Sequence, residues 1–379
     1  RSRSLRRCGM SVLLFAVMSF CVVANAATLK MPAIFTDHAV LQQNAAVPVW
    51  GWAAPGTEVS VSIAGQTKQA VVKDTGKWRV DLEAMTAGGP HEMKIVSAGE
   101  SITLSDILIG EVWLGSGQSN MQWSIKNTDG YEEELKQCAN DNIRIATVYR
   151  EFSTEPLEDL RGLTPWMPCT AESLLQSCKG EGFSAVSYYF AKYLQQKLGV
   201  PVGIINTSWG GTRIEPWTPL EGFEAVPALA DIAATVRMNT PSSNDYQNVL
   251  RETISKVEAW LPEAKGALDK GSFAPALPSI ASESALNTNQ SPTALYNAMV
   301  NPLVPYANRG FIWYQGESNR GEGMLYRDKM EALIRGWRTR FENEELACYF
   351  VQLAPFKYGD KPMALAEIWE AQVATQISA

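Results

Sequence analysis

The sequence predicts an α/β protein: a doubly wound parallel-sheet domain over residues 106–379, preceded by a small all-β sandwich over residues 28–105. Three observations predict it. Residues 28–105 carry short segments of period-two alternation with turn residues between them. From residue 106 the alternation gives way to near-continuous apolar runs. Amphipathic helical patterns lie between those runs.

The sandwich rests on alternation in Val47-Pro48-Val49-Trp50-Gly51-Trp52, Val59-Ser60-Val61-Ser62-Ile63, Lys77-Trp78-Arg79-Val80-Asp81-Leu82 and Met93-Lys94-Ile95-Val96. Turns are signalled at Ala54-Pro55-Gly56, Ala64-Gly65, Asp74-Thr75-Gly76 and Gly88-Gly89-Pro90. Short strands at this spacing suit a β-sandwich. The parallel sheet rests on five apolar runs at 111–114, 143–148, 202–206, 310–314 and 347–353. Such runs suit strands covered by helices on both faces. One helix is expected at 185–198, stopped by Gly199 and Pro201. Another follows from the stripe Met330, Leu333, Ile334, Trp337, Phe341. Residues from about 220 to 292 read as an insertion between two strands, with one helical stretch near 249–260, placed to shape a pocket.

Residues 1–26 predict a secretory signal peptide rather than part of the fold. Arg1, Arg3, Arg6 and Arg7 form a basic start, an apolar run follows to Val23, and Ala24-Asn25-Ala26 offers a cleavage site. The run is short for a membrane span. Cleavage would leave an exported protein without a membrane span, secreted or periplasmic. It would also remove four Arg from a chain of net charge −7, leaving −11. That acidity argues against nucleic acid as a partner. Hydrophobic content of 46% with 19% charged residues gives ample core and excludes a disordered chain. Four cysteines remain, Cys138, Cys169, Cys178 and Cys348. In an oxidising compartment Cys169 and Cys178 would close a short loop, and free buried thiols are the alternative. No CxxC or Cys/His cluster suggests zinc, and no cofactor is implied. The chain begins with Arg1, not Met, which suggests a fragment.

Ligands of doubly wound sheets sit at the carboxyl ends of the strands. The first run ends in Gly115-Ser116-Gly117-Gln118-Ser119-Asn120-Met121. A Ser at a Gly-flanked strand-to-helix turn is placed for nucleophilic attack, with its own N–H available to an oxyanion. Met121 excludes the G-x-S-x-G elbow, and neither dinucleotide nor P-loop spacing is present. The third run ends in Asn206-Thr207-Ser208-Trp209-Gly210-Gly211-Thr212-Arg213, where Gly210 or Gly211 offers a second backbone donor or merely a tight turn. The fourth ends in Trp313-Tyr314-Gln315-Gly316-Glu317-Ser318-Asn319, where an amide would donate a third bond and Glu317 would orient a base. Three polar loops at one sheet edge weaken the reading of each as plain surface. Trp123, Trp209, Trp217 and Trp313 lie near them, as sugar platforms or as core.

These three motifs, with Phe183-Ser184-Ala185-Val186-Ser187-Tyr188-Tyr189-Phe190 and Asn301-Pro302-Leu303-Val304-Pro305, resemble the sialate O-acetylesterase family. That family belongs to the SGNH/GDSL hydrolases, close to carbohydrate acetyl-xylan esterases. The resemblance runs from about residue 28 to the end. It implies a flavodoxin-like SGNH fold and a carbohydrate O-acetylesterase that acts on acetylated sugars through a Ser119 acyl-enzyme. It implies Gly210 or Gly211 and the Gln315 side chain in the oxyanion hole, with Asn319 as second choice for the side-chain donor. It also implies contact between Glu317 and a catalytic His.

The family supplies that His in an Asp-x-x-His motif near the C-terminus. This chain has two His, His38 and His91, both before the nucleophile and neither in such a motif. The expectation is a C-terminally truncated domain, an Asp-x-x-His encoded past codon 379, and a chain that is inactive or nearly so. A polysaccharide deacetylase such as an acetyl-xylan esterase, a non-catalytic glycan-binding protein and an acyltransferase remain rivals.

Overall fold

A computed structural model describes residues 28–278, 287–358 and 363–378. The predicted leader lies outside them. Seven strands come first: β1 (Val40–Gln42), β2 (Val47–Trp52), β3 (Glu58–Ile63), β4 (Gln66–Val71), β5 (Lys77–Leu82), β6 (Gly88–Ser97) and β7 (Glu100–Gly117). β2 pairs with β5 as a separate antiparallel sheet. β4, β3, β6 and β7 pair in that order, and β1 runs parallel to β7. Alternation assigns the faces: Val47, Val49, Val80 and Leu82 from one sheet share a buried core with Val59, Val61, Met93 and Ile95 from the other.

β7 is an 18-residue strand that belongs to both halves of the protein. Its first part pairs with β6 and β1, and from Glu111 it pairs with the strands of a second sheet. The boundary expected at 105/106 falls inside it. At Gly110 a Cβ would meet the Pro201 carbonyl oxygen at 2.0 Å, so the crossing between sheets needs glycine there.

The second sheet adds β8 (Asn140–Val148), β9 (Leu163–Cys169), β10 (Val202–Ser208), β11 (Gly310–Tyr314) and β12 (Ala347–Phe350). The order is β12-β11-β7-β10-β8-β9, parallel throughout except β9. All five expected runs form strands, the last ending at Phe350 rather than 353. β9 escaped the sequence reading because Pro165 and Pro168 break its pattern, which an edge strand tolerates. Helices cover both faces. Trp113, Ile145, Ile204 and Ile312 face Tyr188 and Ala191 of the Ala185–Leu198 helix. Their strand neighbours Val112, Leu114, Ile205, Phe311 and Trp313 face Met330, Leu333 and Trp337 of the Leu325–Arg340 helix.

The insertion forms helices Leu220–Glu224, Ala230–Met238 and Asn244–Asp269. None of them lines the cleft at Ser119 among the described residues. Cys138, Cys169, Cys178 and Cys348 are all free, so no Cys169–Cys178 bridge closes the loop. The Cys169 thiol instead donates to the Cys138 carbonyl at 3.4 Å, and burial pushes its pKa up to about 12.

Candidate active site

Three loops meet at the carboxyl edge of the parallel sheet, and backbone bonds lock them together. Gly117 has φ +140°, and a Cβ there would lie 2.2 Å from the Tyr314 carbonyl oxygen. That same oxygen accepts the Gln118 N–H at 3.0 Å, and the Gly117 carbonyl accepts from Trp209 N–H at 3.0 Å. β7, β10 and β11 are thereby fixed at their ends. The chain then enters the four-residue helix Ser119–Gln122, with Ser119 exposed at its first position. N–H groups in the first turn of a helix have no partner inside it.

Ser119 lines an open cleft of about 390 Å³, with Gln122, Trp123, Arg150, Asn206 and Ser208 among its walls. Gly210 lies beside it: a Cβ on Gly210 would be 3.4 Å from the Ser119 Cβ. The Gly210 N–H donates to Gln122 Oε1 at 2.6 Å. Gly211 is exposed, with φ +77°, and its carbonyl accepts from Gln290 Nε2 at 3.1 Å.

Gln315 and Asn319 point into the protein. Gln315 is fully buried, and its Nε2 donates to Gln118 Oε1, the Thr212 carbonyl and Asn319 Oδ1 at 3.1, 3.2 and 2.8 Å. Its Oε1 accepts from the Tyr326 hydroxyl at 2.8 Å. Asn319 Oδ1 also accepts the Ile214 N–H at 3.0 Å. Its Nδ2 donates to Glu215 at 3.0 Å and Glu322 at 3.1 Å. Beneath them Lys329 Nζ reaches Glu215 at 2.7 Å and Glu322 at 2.6 Å, and Arg213 pairs with both carboxylates. This buried ionic cluster ties the second and third loops to the Leu325–Arg340 helix. Burial alone would raise the Glu215 pKa; the Arg213 hydrogen bond and the Lys329 charge outweigh it and hold the carboxyl at about 2.

Glu317 is different. Its Oε1 accepts from Asn120 Nδ2 at 2.6 Å, next to Ser119, while its buried Oε2 has no partner among the described residues. Burial pushes its pKa above the usual carboxylate value, with the Asn120 bond opposing. A buried charge with one unsatisfied oxygen costs more than a buried amide with one unsatisfied N–H. Below the unfolded value of about 4.3 both states are protonated and the cost vanishes. It appears as pH rises through the folded value. Glu317→Gln is therefore expected to raise the melting temperature at pH 8, with the gain shrinking towards pH 4. An equal gain at both pH values in paired thermal melts would contradict this.

Residues 277–378 match the family described as carbohydrate esterase, sialic acid-specific acetylesterase. The chain is 31% identical over 326 residues to the sialate O-acetylesterase of Mus musculus, covering 80% of this chain and 55% of that one. Against the Homo sapiens sialate O-acetylesterase it is 29% identical over 328 residues, covering 81% and 52%. A carbohydrate acetylesterase structure from Xanthomonas citri matches with TM-score 0.71 and 29% identity, covering 92% of this chain and 67% of that one. Residues 277–378 thus carry the family's esterase signature, and over four fifths of its length the chain is similar to sialate O-acetylesterases. It spans about half the length of the curated relatives it matches. Its sheet with helices on both faces is the SGNH hydrolase fold expected from the motifs.

Against this sialate O-acetylesterase frame, the two His stand apart. His38 Nδ1 lies 2.7 Å from Asp106, which also pairs with Arg144 at 2.6 Å. His91 pairs in register with Ile107. Both sit near the start of β7, while Ser119 follows its end. At about 3.3 Å per residue that strand separates them by roughly 30 Å. Sequence reasoning passed over Gln118 and Gln122, which hold the Gln315 loop and Gly210. Gln122 carried one readable signal: it stands three residues after Ser119, on the same helix face. Glu215 and Lys329 carried none, being 114 positions apart.

Proposed function

We propose that this chain carries the nucleophile and oxyanion hole of a carbohydrate O-acetylesterase. The observation that carries the reading is an exposed Ser119 in a cleft with the Gly210 backbone against it. Ser119 Oγ attacks the acetyl carbonyl, its proton leaves to a base, and the sugar alkoxide departs with a proton from that base. Water then cleaves the acetyl-enzyme to acetate and free Ser119. The Ser119 and Gly210 N–H groups receive the oxyanion, the latter once Gln122 rotates away. Each such donor contributes about 3 kcal/mol. We assign Gln315 and Asn319 to positioning rather than donation, because their amide hydrogens are spent on internal acceptors.

Trp123 is the sugar platform of this reading. It is 51% exposed in the cleft, with its Nε1 bonded to the Asn127 carbonyl at 3.1 Å, which fixes the ring. Trp217 and Trp313 are fully buried and pack edge-to-face at 6.3 Å, and Trp209 packs against the core. The sialylated or polysaccharide nature of the substrate, and export by the leader, belong to the same proposal. Among the described residues no helix is long and apolar enough to cross a membrane.

The base is the weak point of these 379 residues. With both His roughly 30 Å away along β7, turnover by this chain is expected to fall several orders of magnitude below a complete triad. In this reading Glu317, whose Oε2 has no partner among the described residues, accepts an imidazole N–H. Free imidazole is therefore expected to raise hydrolysis of an acetylated sugar by the 379-residue chain at least tenfold over the imidazole blank, about 1.4 kcal/mol of barrier. Ser119→Ala is expected to abolish that increment. An increment that survives Ser119→Ala, or brisk hydrolysis without imidazole, sinks the reading.

A further inference from the structure

A second cleft, of about 470 Å³, lies between the sandwich and the hydrolase domain. That volume is within the range of about 300–1,000 Å³ typical of small-ligand sites. β2 and β5 build one wall. In their register Trp50 opposes Arg79 and Trp52 opposes Lys77. Side chains two apart share a strand face, so Trp50, Trp52, Lys77 and Arg79 all stand on the outer face of this sheet. Val49, Val80 and Leu82 take the inner face, in the core. Both Trp are half-buried in the cleft wall. Their positions are fixed: Trp50 packs edge-to-face on Phe35 at 4.9 Å, and Lys30 lies 4.9 Å over one face of Trp52 while pairing with its backbone. The opposite wall includes Asn301, Val304 and Pro305.

The chemistry of the lining selects the ligand class. Lys77 pairs with Glu158 at 2.5 Å and Arg79 with Glu342 at 3.0 Å, both across the cleft walls. Two of the three lining cations are thus already paired, with Lys73 the third, which makes the cleft a poor phosphate receptor, and charged walls do not suit a lipid. Two indoles about 7 Å apart along a strand, flanked by carboxylates, ammonium groups, the Thr75 hydroxyl and the Asn301 amide, suit sugar rings. Such rings have apolar C–H faces and hydroxyls that both donate and accept.

The cleft is far from Ser119. Glu322 belongs to the ionic cluster behind the active loops, and Glu342 lines this cleft. The 16-residue Leu325–Arg340 helix runs between them, about 24 Å at 1.5 Å per residue.

We infer that this interdomain cleft is a second, non-catalytic saccharide site, which holds a short run of a pyranose chain on Trp50 and Trp52. Only the choice of saccharide as ligand rests on the function proposed above. Oxidative labelling of tryptophan in the intact chain, read by mass spectrometry, tests it with xylohexaose and sialyllactose as separate probes. Protection of Trp50 and Trp52 by at least threefold with either probe is the expected result, and the protecting probe identifies the sugar type. Protection confined to Trp123 overturns this site while leaving the function at Ser119 standing. In affinity electrophoresis Trp52→Ala is expected to weaken retardation by the protecting glycan's polymer about tenfold, with Trp52→Phe close to the unmodified chain. Equal retardation of all three overturns the inference.

Discussion

Lys329→Met is expected to destabilise the protein by about 3 kcal/mol at pH 7, the cost of leaving a buried carboxylate without one of its partners. Lys329 is almost fully buried and serves two carboxylates, Glu215 and Glu322. Methionine keeps the volume but leaves both acids to share Arg213 and the Asn319 amide. The sign of the pH dependence follows from Glu215. Its folded pKa, about 2, lies below the unfolded value of about 4.3. Its stabilisation is therefore full above about pH 5 and is lost as pH falls through the folded value. In Lys329→Met that pKa rises, so the gap between variant and parent should narrow from pH 7 to pH 3. Urea unfolding at the two pH values measures it. A gap that stays constant would mean that Lys329 acts through packing alone.

Gly117→Ala is expected to cost about 3 kcal/mol or more, combining backbone strain at positive φ with overpacking. The methyl would sit 2.2 Å from the Tyr314 oxygen, at the last rung between β7 and β11. Relief requires those strand ends to part, which moves Ser119. Gly130→Ala is the matched control. Gly130 also has positive φ, +72°, but nothing lies within 4 Å of its Cβ position. It should cost only about 1 kcal/mol. Comparable losses at the two positions in urea unfolding would show that the contact with Tyr314 carries no weight. Imidazole-supported hydrolysis should fall in Gly117→Ala and stay unchanged in Gly130→Ala.

Much of the candidate site was legible because motif and strand end coincide. Gly117, Ser119, Gly210 and Glu317 each follow a run of apolar residues, and a parallel sheet brings such ends to one edge. The direction of each side chain was not legible. Gln315 and Asn319 share a polar loop with Glu317, yet two turn inward and one turns towards Asn120. Nothing in the local pattern separates an amide that meets substrate from one that braces a loop. The four tryptophans near the motifs make the same point: two fill the core, one packs against it and only Trp123 presents its ring to the cleft.

By itself the sequence determined the two-part architecture, the five parallel strands and the family likeness. Those depend on hydrophobic period and on short motifs, which are local properties of the chain. Tertiary structure alone decided what happens between distant residues. It passed β7 through both sheets, left Cys169 and Cys178 unbridged and gathered Arg213, Glu215, Glu322 and Lys329 into one cluster. It also turned Trp50 and Trp52 towards a second cleft. Charge pairing and cavity shape depend on which segments the fold brings together, and periodicity along a single chain carries no record of that.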